Sequence, residues 1–529
     1  MKLKVAIIVD KLKIKKWQLD SLDAIKDEIE IKSILNCTNT IHKKKFFQNF
    51  LYYILNFFNL RNYMTRNYPV PNYGINIVNF KSSYSKNWQT IPTDVIKDLK
   101  KQKIKLIIKF GMNLLNIDDE LDKIDIFSFH HGDPSQYKGR PAGFYEIFHD
   151  KKKTGVIVQK LSNRLDSGDI YAFGEVRNIN YSYRKTAINF YSLSPFLLLK
   201  SINNLKNGIK LNIGNSGKTF SLPSNYIVIL FVKKIILNLV KKIFYGLFYE
   251  KKWKVAFMNN NILLEEENLI LKSSIQEIPI KKKYNFYADP FFSTDGKKVR
   301  LEALNYKTGL GEILEVDVSN LKEQKVILSG KHYSYPYSFN YNDKELLLPE
   351  VASHSEPFLL SLKNPKNFTT YIKGFQNSKI VDATLFKKDD YWYLFFGFSN
   401  NSENLLNLYI SKNLDETFNP HPNSPICLSP TMSRMAGKII NINSSIYRFG
   451  QNNEGEYGRG IFIQKIKEIS PLSYSEISCG SIFIEQYQGP HCLNFSPDKS
   501  RIILDYYEDG FSLLAGYRRI IAKIRNKMK

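Results

Sequence analysis

Over the first 222 positions, short apolar runs alternate with longer amphipathic stretches. The segments "KVAIIVD" (4–10), "INIVNF" (75–80), "KLIIKFG" (105–111), "DIFSFHHG" (125–132) and "TGVIVQKL" (154–161) have the length and the β-branched and aromatic content of strands. Between them, "DVIKDLKKQK" (94–103) spaces its apolar positions as a helix does. Strands and helices in alternation predict an α/β domain over 1–222, built of βαβ units, with its functional loops at the carboxyl ends of the strands.

The segment 223–252, "PSNYIVILFVKKIILNLVKKIFYGLFYEKK", interleaves apolar and aromatic residues with Lys233, Lys234, Lys241 and Lys242. This predicts a basic amphipathic linker. Such a helix either lies on an anionic membrane surface or packs on a core while its lysines snorkel.

From 253 to 529 the pattern turns to short strands, and it recurs. Five windows start at Asp289, Pro336, Asp382, Ala436 and His491, and each holds an apolar strand, a polar turn and a second apolar strand. Successive starts differ by 47, 46, 54 and 55 residues. One four-stranded unit needs about 40–50 residues, so the recurrence predicts an all-β five-bladed propeller around a central channel, against the alternative of an irregular β-sandwich.

A chain of 529 residues exceeds what one core supports, which agrees with at least two domains. The 76 Lys and Arg against 50 Asp and Glu give a formal charge of +26, which favours polyanionic partners or a generally basic surface. Cys37, Cys427, Cys479 and Cys492 form no C-x-x-C pair and are too sparse for a disulfide framework, so a reducing cytoplasm is expected. The amino-terminal apolar run ends at Asp10, as a buried strand does and a signal peptide does not. No stretch of about 18 uncharged apolar residues predicts a membrane span.

Candidate chemistry centres on "FSFHHGDPSQYKGRPAGFYEI" (127–147), where His130 and His131 end a predicted strand and open a Gly/Pro-rich loop. Imidazole moves protons near neutral pH, and loops after strands display catalytic groups. Asp166 and Asp169 bracket a turn after the next strand, and a carboxylate set against an imidazole fixes its tautomer and stabilises its charged form. In the loop, Lys138 and Arg140 can meet a phosphate or carboxylate and Tyr137 can stack on a ring. Alternatively, Arg140 and Glu146 form a structural ion pair. The stretch "GNSGKTF" is set aside as a phosphate loop, because Asn212 stands where that pattern needs Gly.

Residues 1–210 resemble the folate-dependent formyltransferases. The family motif is N-x-H, a Pro-containing loop ending in a basic residue and Gly, then T-G-V and L-D-x-G-D. Here it reads Ser128-x-His130, "GDPSQYKG" to Gly139, Thr154-Gly155-Val156 and Leu165-Asp166-Ser167-Gly168-Asp169. The resemblance implies a Rossmann-like fold, with His130 moving the proton, Asp166 orienting it, and 10-formyltetrahydrofolate as donor against Gly111, Met112, Arg164 and Leu165. It implies an amino-sugar nucleotide or a glycan as one acceptor, with His131, Tyr137, Lys138 and Arg140 around it. The family's Asn, an amide donor to the reaction's oxyanion, is Ser128 here. Either Ser128, His131 or Asn113 substitutes, or the domain binds or does other chemistry. A methionyl-tRNA acceptor lacks a recognised RNA-binding module in support, and no metal is expected.

In the β-rich half, Asp289, Asp382, Arg434 and His491 stand at or just before repeat starts, and Glu302 and Glu350 close second strands. Gathered on one channel they suit sugar binding, glycoside chemistry or a structural network. The motifs "YADPFF", "SYPYSF", "LLLPEV", "VDATLF", "YWYLFF", "HPNSPI" and "MAGK" resemble the amino-terminal domain of the glucosamine inositolphosphorylceramide transferase family over about 284–475. That domain is related in shape to five-bladed glycoside hydrolases. Asp382 stands where the hydrolases' general-acid Glu is expected, so the resemblance implies glycan biosynthesis rather than hydrolysis. The rival readings are a glycosyltransferase or glycosidase beside a degenerate amino-terminal half, and a non-catalytic glycan-binding protein.

Overall fold

The computed structural model describes residues 2–527 apart from 40–46, 72–73, 87, 165, 261, 263, 265–268, 272–274, 352–355, 363–367 and 377. The chain forms two compact units, Met1–Val240 and Lys241–Lys529.

In the first unit the strands β1 (Leu3–Asp10), β2 (Ile29–Cys37), β3 (Asn76–Phe80), β4 (Leu106–Lys109), β5 (Asp125–His130), β6 (Lys153–Lys160) and β7 (Ile170–Arg177) lie side by side in the order β7-β6-β5-β4-β1-β2-β3. The strands from β3 to β5 run parallel, whereas β6 and β7 run antiparallel to their neighbours. Val5 to Val9 and Leu106 to Ile108 are buried without alternation, as central strands covered on both faces require. The helices are α1 (Lys16–Ala24), α2 (Phe50–Asn59), α3 (Thr93–Lys101), α4 (Phe144–Phe148), α5 (Tyr183–Lys206) and α6 (Asn225–Phe248). Val95, Ile96 and Leu99 of α3 pack on Ala6, Ile8 and Ile107, while Asp94 in its first turn and Lys100 and Lys101 in its last suit the helix dipole. Helix α6 fills most of the segment expected as a linker, and the division between the units falls inside it.

The second unit is mostly β. Each of the five repeat windows forms the leading antiparallel hairpin of a different sheet: Tyr284–Phe292 with Lys298–Asn305, Tyr333–Tyr341 with Lys344–Val351, Ile380–Lys388 with Tyr391–Phe398, Ile440–Ile442 with Ser445–Gln451, and Leu493–Phe495 with Arg501–Phe511. Two or more further strands complete every sheet. In the last sheet one of the added strands is Tyr249–Asn259, from the beginning of the unit, paired with Arg501–Phe511 along its whole length. The two ends of the unit are thereby held in one sheet.

The leading strands of the first three sheets share a defect. Each shifts register around one non-glycine residue in left-handed backbone: Asp289 (φ 50°), Tyr335 (φ 44°) and Asp382 (φ 51°). Such positions cost on the order of 1–3 kcal/mol and persist where the surroundings hold them. A bulge of this kind re-aims a side chain, and two of the three are sequence-predicted site residues.

Candidate functional site

Strand β5 carries the first constellation. Ser128 and His130, two apart, share one face, and the antiparallel register with β6 sets Gln159 opposite Ser128 and Ile157 opposite His130. The Nδ1 atom of His130 lies 3.4 Å from Asp166 Oδ1, with side chains only 9% and 12% exposed. The other carboxylate oxygen of Asp166 accepts the Gly139 N–H at 2.9 Å. The second ring nitrogen of His130, Nε2, is 3.1 Å from the Tyr137 carbonyl oxygen. Both ring nitrogens thus face oxygens.

The glycines of the motif have a steric reason. A Cβ on Gly168 would sit 1.8 Å from the Lys160 carbonyl oxygen, and one on Gly155 would sit 2.9 Å from the Asp133 Cα. Only glycine lets the Asp166 turn and the His130 loop close on β6. The loop is fixed further by Tyr137–Gly139 pairing in parallel with Lys218–Phe220. The stretch set aside as a phosphate loop is therefore the loop's partner strand.

A cleft with about 210 Å³ of empty volume opens beside His130, lined in part by Lys138, Arg140, Tyr145 and Glu146. Glu146 is 3% exposed, and burial pushes its carboxyl up to about 8, with no cation among the causes. The alternative Arg140–Glu146 ion pair is not formed among the described residues: Arg140 is exposed while Glu146 is buried. Tyr137 stacks on Phe220 and on His149, and its hydroxyl lies 3.1 Å from His149 Nδ1, so its ring is already engaged within the protein.

His131 departs from expectation. Strand alternation turns its ring away from His130, among Trp17, Phe190 and Tyr191, with Nε2 3.0 Å from Ser194 Oγ. Burial takes its pKa down to about 3, which suits a neutral core imidazole rather than a substrate ligand. Gly111 and Met112 follow β4. The Met112 N–H donates to Asp10 Oδ1 at 2.9 Å, in left-handed backbone (φ 63°), and the neighbouring Asn113 N–H donates to Gln89 Oε1 at 2.6 Å. Lys109 beside them is half-buried, and desolvation takes its ammonium down to about 8. Arg164 is exposed, in a turn tied to the loop after β4 by two 2.8 Å hydrogen bonds between Asn163 and the Ile117 backbone. Leu165 lies outside the described residues. Asp169 pairs with Lys210 at the surface rather than with His130.

The second unit gathers the expected polar residues. His491 Nε2 is 3.1 Å from Asp289 Oδ1, and its Nδ1 is 2.9 Å from Asp505 Oδ1 but out of line for a hydrogen bond. The two carboxylates flanking His491 hold its ring up to about 10, against the pull of burial. Asp505 also accepts the backbone N–H groups of Asp289, His491 and Cys492 at 2.9 to 3.0 Å. Arg434 Nε donates to Asp382 Oδ2 at 2.5 Å, and its guanidinium lies over the Tyr457 ring. Glu350 Oε2 accepts the Asp382 N–H at 3.0 Å, and burial beside Asp382 pushes its carboxyl up to about 8. Glu302, buried near Asp289, is raised well above the usual carboxylate range. A cleft with about 320 Å³ of empty volume is lined by Glu350 and Ala383 among others.

Two residues of these sites escaped the sequence reading. Asp505 occupies in the fifth window the place that Glu350 has in the second, so aligning the repeats would have found it. Gln159 brings a primary amide to the face of Ser128 and His130, where its Oε1 accepts the Gly168 N–H at 3.2 Å. Its signal was only its place in the strand after T-G-V.

Residues 271–496 match the family described as glucosamine inositolphosphorylceramide transferase 1, N-terminal. The protein of that name from Oryza sativa subsp. japonica is 27% identical over 226 residues, covering 40% of this chain and 30% of its own length. Its Arabidopsis thaliana counterpart is 26% identical over 209 residues, covering 36% and 27%. The matched segment thus spans under a third of these relatives. Similar solved structures include a phosphoribosylglycinamide formyltransferase from Anaplasma phagocytophilum, 14% identical with a TM-score of 0.29, covering 42% of this chain and 96% of that one. A formyltetrahydrofolate deformylase from Pseudomonas putida KT2440 is 16% identical with a TM-score of 0.28, covering 39% and 66%.

Proposed function

We propose that the chain is a two-part transferase of glycan synthesis, in which the first unit transfers a formyl group from 10-formyltetrahydrofolate to an amino sugar and the second binds the sugar nucleotide or growing glycan. The single observation that carries this reading is the His130–Asp166 contact, with Asp166 itself fixed by the Gly139 N–H.

The donor set fits the transfer. An imidazole backed by a carboxylate, a hydroxyl on the same strand face and a primary amide opposite it are the groups that moving a formyl carbon between two nitrogens requires. Bound 10-formyltetrahydrofolate supplies the formyl carbon, and by the motif it would be held by Gly111, Met112, Arg164 and Leu165. Asp166 keeps His130 Nδ1 directed at itself and stabilises the ring's positive charge. The Nε2 of His130 exchanges the Tyr137 carbonyl for the reacting nitrogen and carries its proton. Ser128 and the Gln159 amide stand in for the family's Asn as donors to the developing oxyanion. Lys138 and Arg140, at the mouth of the cleft, suit a phosphate on the acceptor.

For the second unit we read the five sheets as propeller blades around an axis, with Asp289, Asp382, Arg434 and His491 projecting inward from leading strands. The pairing of Tyr249–Asn259 with Arg501–Phe511, which would close a ring, supports this arrangement. The match to the transferase family supports a sugar ligand there. The free cysteines support a cytoplasmic location.

The test is incubation of the purified chain with 10-formyltetrahydrofolate and a panel of amino-sugar nucleotides, reading the mass gain of one formyl group. The reading fails if no acceptor gains that mass while the chain is folded. A second reading, glycosyl transfer or hydrolysis in the second unit, is favoured by the buried Asp382–Arg434 pair and by Glu350, which accepts the Asp382 N–H and lines the 320 Å³ cleft. Under it, Asp382→Asn abolishes activity and His130→Ala does not.

A further inference from the structure

A helix on a protein surface buries one stripe and shows polar residues to water. Helix α6 does the reverse on its outer side. Val228 and Phe231 pack in a cluster with Tyr52, Phe144 and Tyr183, and Lys234 is drawn to the Phe148 carbonyl and to Asp150. On the opposite face, Ile229, Val232, Ile236, Val240, Ile243 and Leu247 recur every three or four positions and are all exposed, Ile236 to 53% and Val240 to 57%.

A second apolar helix adjoins the start of this stripe. Asn225 accepts the Leu51 N–H at 2.9 Å and donates to the Phe47 carbonyl at 2.9 Å, which ties the beginning of α6 to the beginning of α2. Helix α2 buries Tyr52 in the shared cluster and exposes Ile54, Phe57 and Phe58, the last to 65%. Soluble monomers rarely leave contiguous apolar surface of this extent uncovered.

Charge selects what covers it. Neither α2 nor α6 contains an Asp or Glu, while Lys233, beside the α6 stripe, and Lys241 and Lys242, farther round the helix, are all exposed. No helix among the described residues is long and apolar enough to cross a membrane. Apolar side chains flanked by lysines, on a helix that does not span, are the features of a segment lying in the interface of an anionic bilayer. We propose that α6, extended by α2, seats the protein on the surface of an anionic lipid bilayer, with the α6 stripe inserted among the acyl chains and the three lysines at the headgroups. The site proposed for formyl transfer does not enter this argument.

Flotation of the full-length chain with phosphatidylcholine vesicles, with and without phosphatidylglycerol, tests the proposal. Binding to the anionic vesicles is expected, much weaker binding to phosphatidylcholine alone, and partial release by salt. Ile236→Glu/Ile243→Glu, at positions outside the buried cluster, should lower binding at least tenfold with an unchanged circular dichroism spectrum. Lys233→Gln/Lys241→Gln/Lys242→Gln should weaken it by roughly fivefold per lysine and remove its salt dependence. The proposal is overturned if the wild-type chain does not float with anionic vesicles, or if the double-Glu variant binds as well as the wild type. It is equally overturned if sedimentation velocity finds a dimer that the double-Glu variant abolishes, since the stripe would then be covered by a second copy.

Discussion

Asp166 is shared between a catalytic candidate and the backbone: one carboxylate oxygen lies 3.4 Å from His130 Nδ1 and the other accepts the Gly139 N–H at 2.9 Å. Its own backbone is left-handed, φ 46°, a conformation that Asn also tolerates. Asp166→Asn should therefore keep the fold and the Gly139 contact while removing the charge that supports the protonated ring. Formyl transfer should fall by about 10²–10⁴ in kcat, the usual worth of a positioned acid or base. Steady-state kinetics beside the thermal midpoint checks this, and an active Asp166→Asn chain would remove Asp166 from the mechanism.

The amide lost at Ser128 leads to a paired prediction. If Ser128 and Gln159 jointly serve the oxyanion, Ser128→Asn restores a better donor and raises kcat, whereas Gln159→Leu lowers it by about 10²–10³. KM should move little in both, because the interaction belongs to the transition state. A Gln159→Leu variant that loses stability but not turnover would reduce Gln159 to the support of the Gly168 turn that its 3.2 Å hydrogen bond already provides.

What the sequence disclosed and what it withheld divide along physical lines. Strands buried on both faces, such as Val5 to Val9, announce themselves as unbroken apolar runs, and the glycines that let β6, its turn and the His130 loop approach each other are fixed by sterics. Hence the first sheet and the meeting of His130 with Asp166 were legible. Side-chain direction was not. Adjacent histidines looked equivalent until strand alternation sent His131 into an aromatic core, and Tyr137 looked available until Phe220, distant in sequence, stacked on it. The five windows were legible because a repeated hairpin repeats its pattern. Left-handed backbone at Asp289, Tyr335 and Asp382 was not, since Asp adopts it mostly in turns rather than inside a strand and Tyr adopts it seldom anywhere.

Glu146 makes stability depend on pH in a direction opposite to a paired carboxylate. Its folded carboxyl is raised by burial from 4.5 to about 8, so between those values the folded chain keeps a proton the unfolded chain has released. Stability from this group is present below 4.5 and is lost as pH rises toward 8. Glu350, also raised to about 8, adds to the same slope. Glu146→Gln has no proton to lose. Its thermal midpoint relative to wild type should rise as the pH goes from about 5 to about 8, and a constant difference across that range would show that Glu146 titrates normally. Lys109, lowered by burial to about 8, contributes stability of the opposite pH sign only above that value, outside the window read.

The Asp382–Arg434 pair, with side chains 4% and 16% exposed, permits a test of what buried charge contributes to the second unit. Removing one partner leaves a desolvated charge, whereas removing both leaves none. Arg434→Met should thus destabilise the chain by about 3–5 kcal/mol, because Asp382, buried against Glu350, loses the guanidinium that offsets its desolvation. In Asp382→Asn/Arg434→Met the asparagine tolerates the φ of 51° at this bulge and carries no charge, so the double variant should be more stable than Arg434→Met alone. Urea denaturation of the wild type, both singles and the double measures the coupling. A double variant as unstable as the arginine single would mean that shape, the packing of Arg434 on Tyr457, outweighs charge at this site.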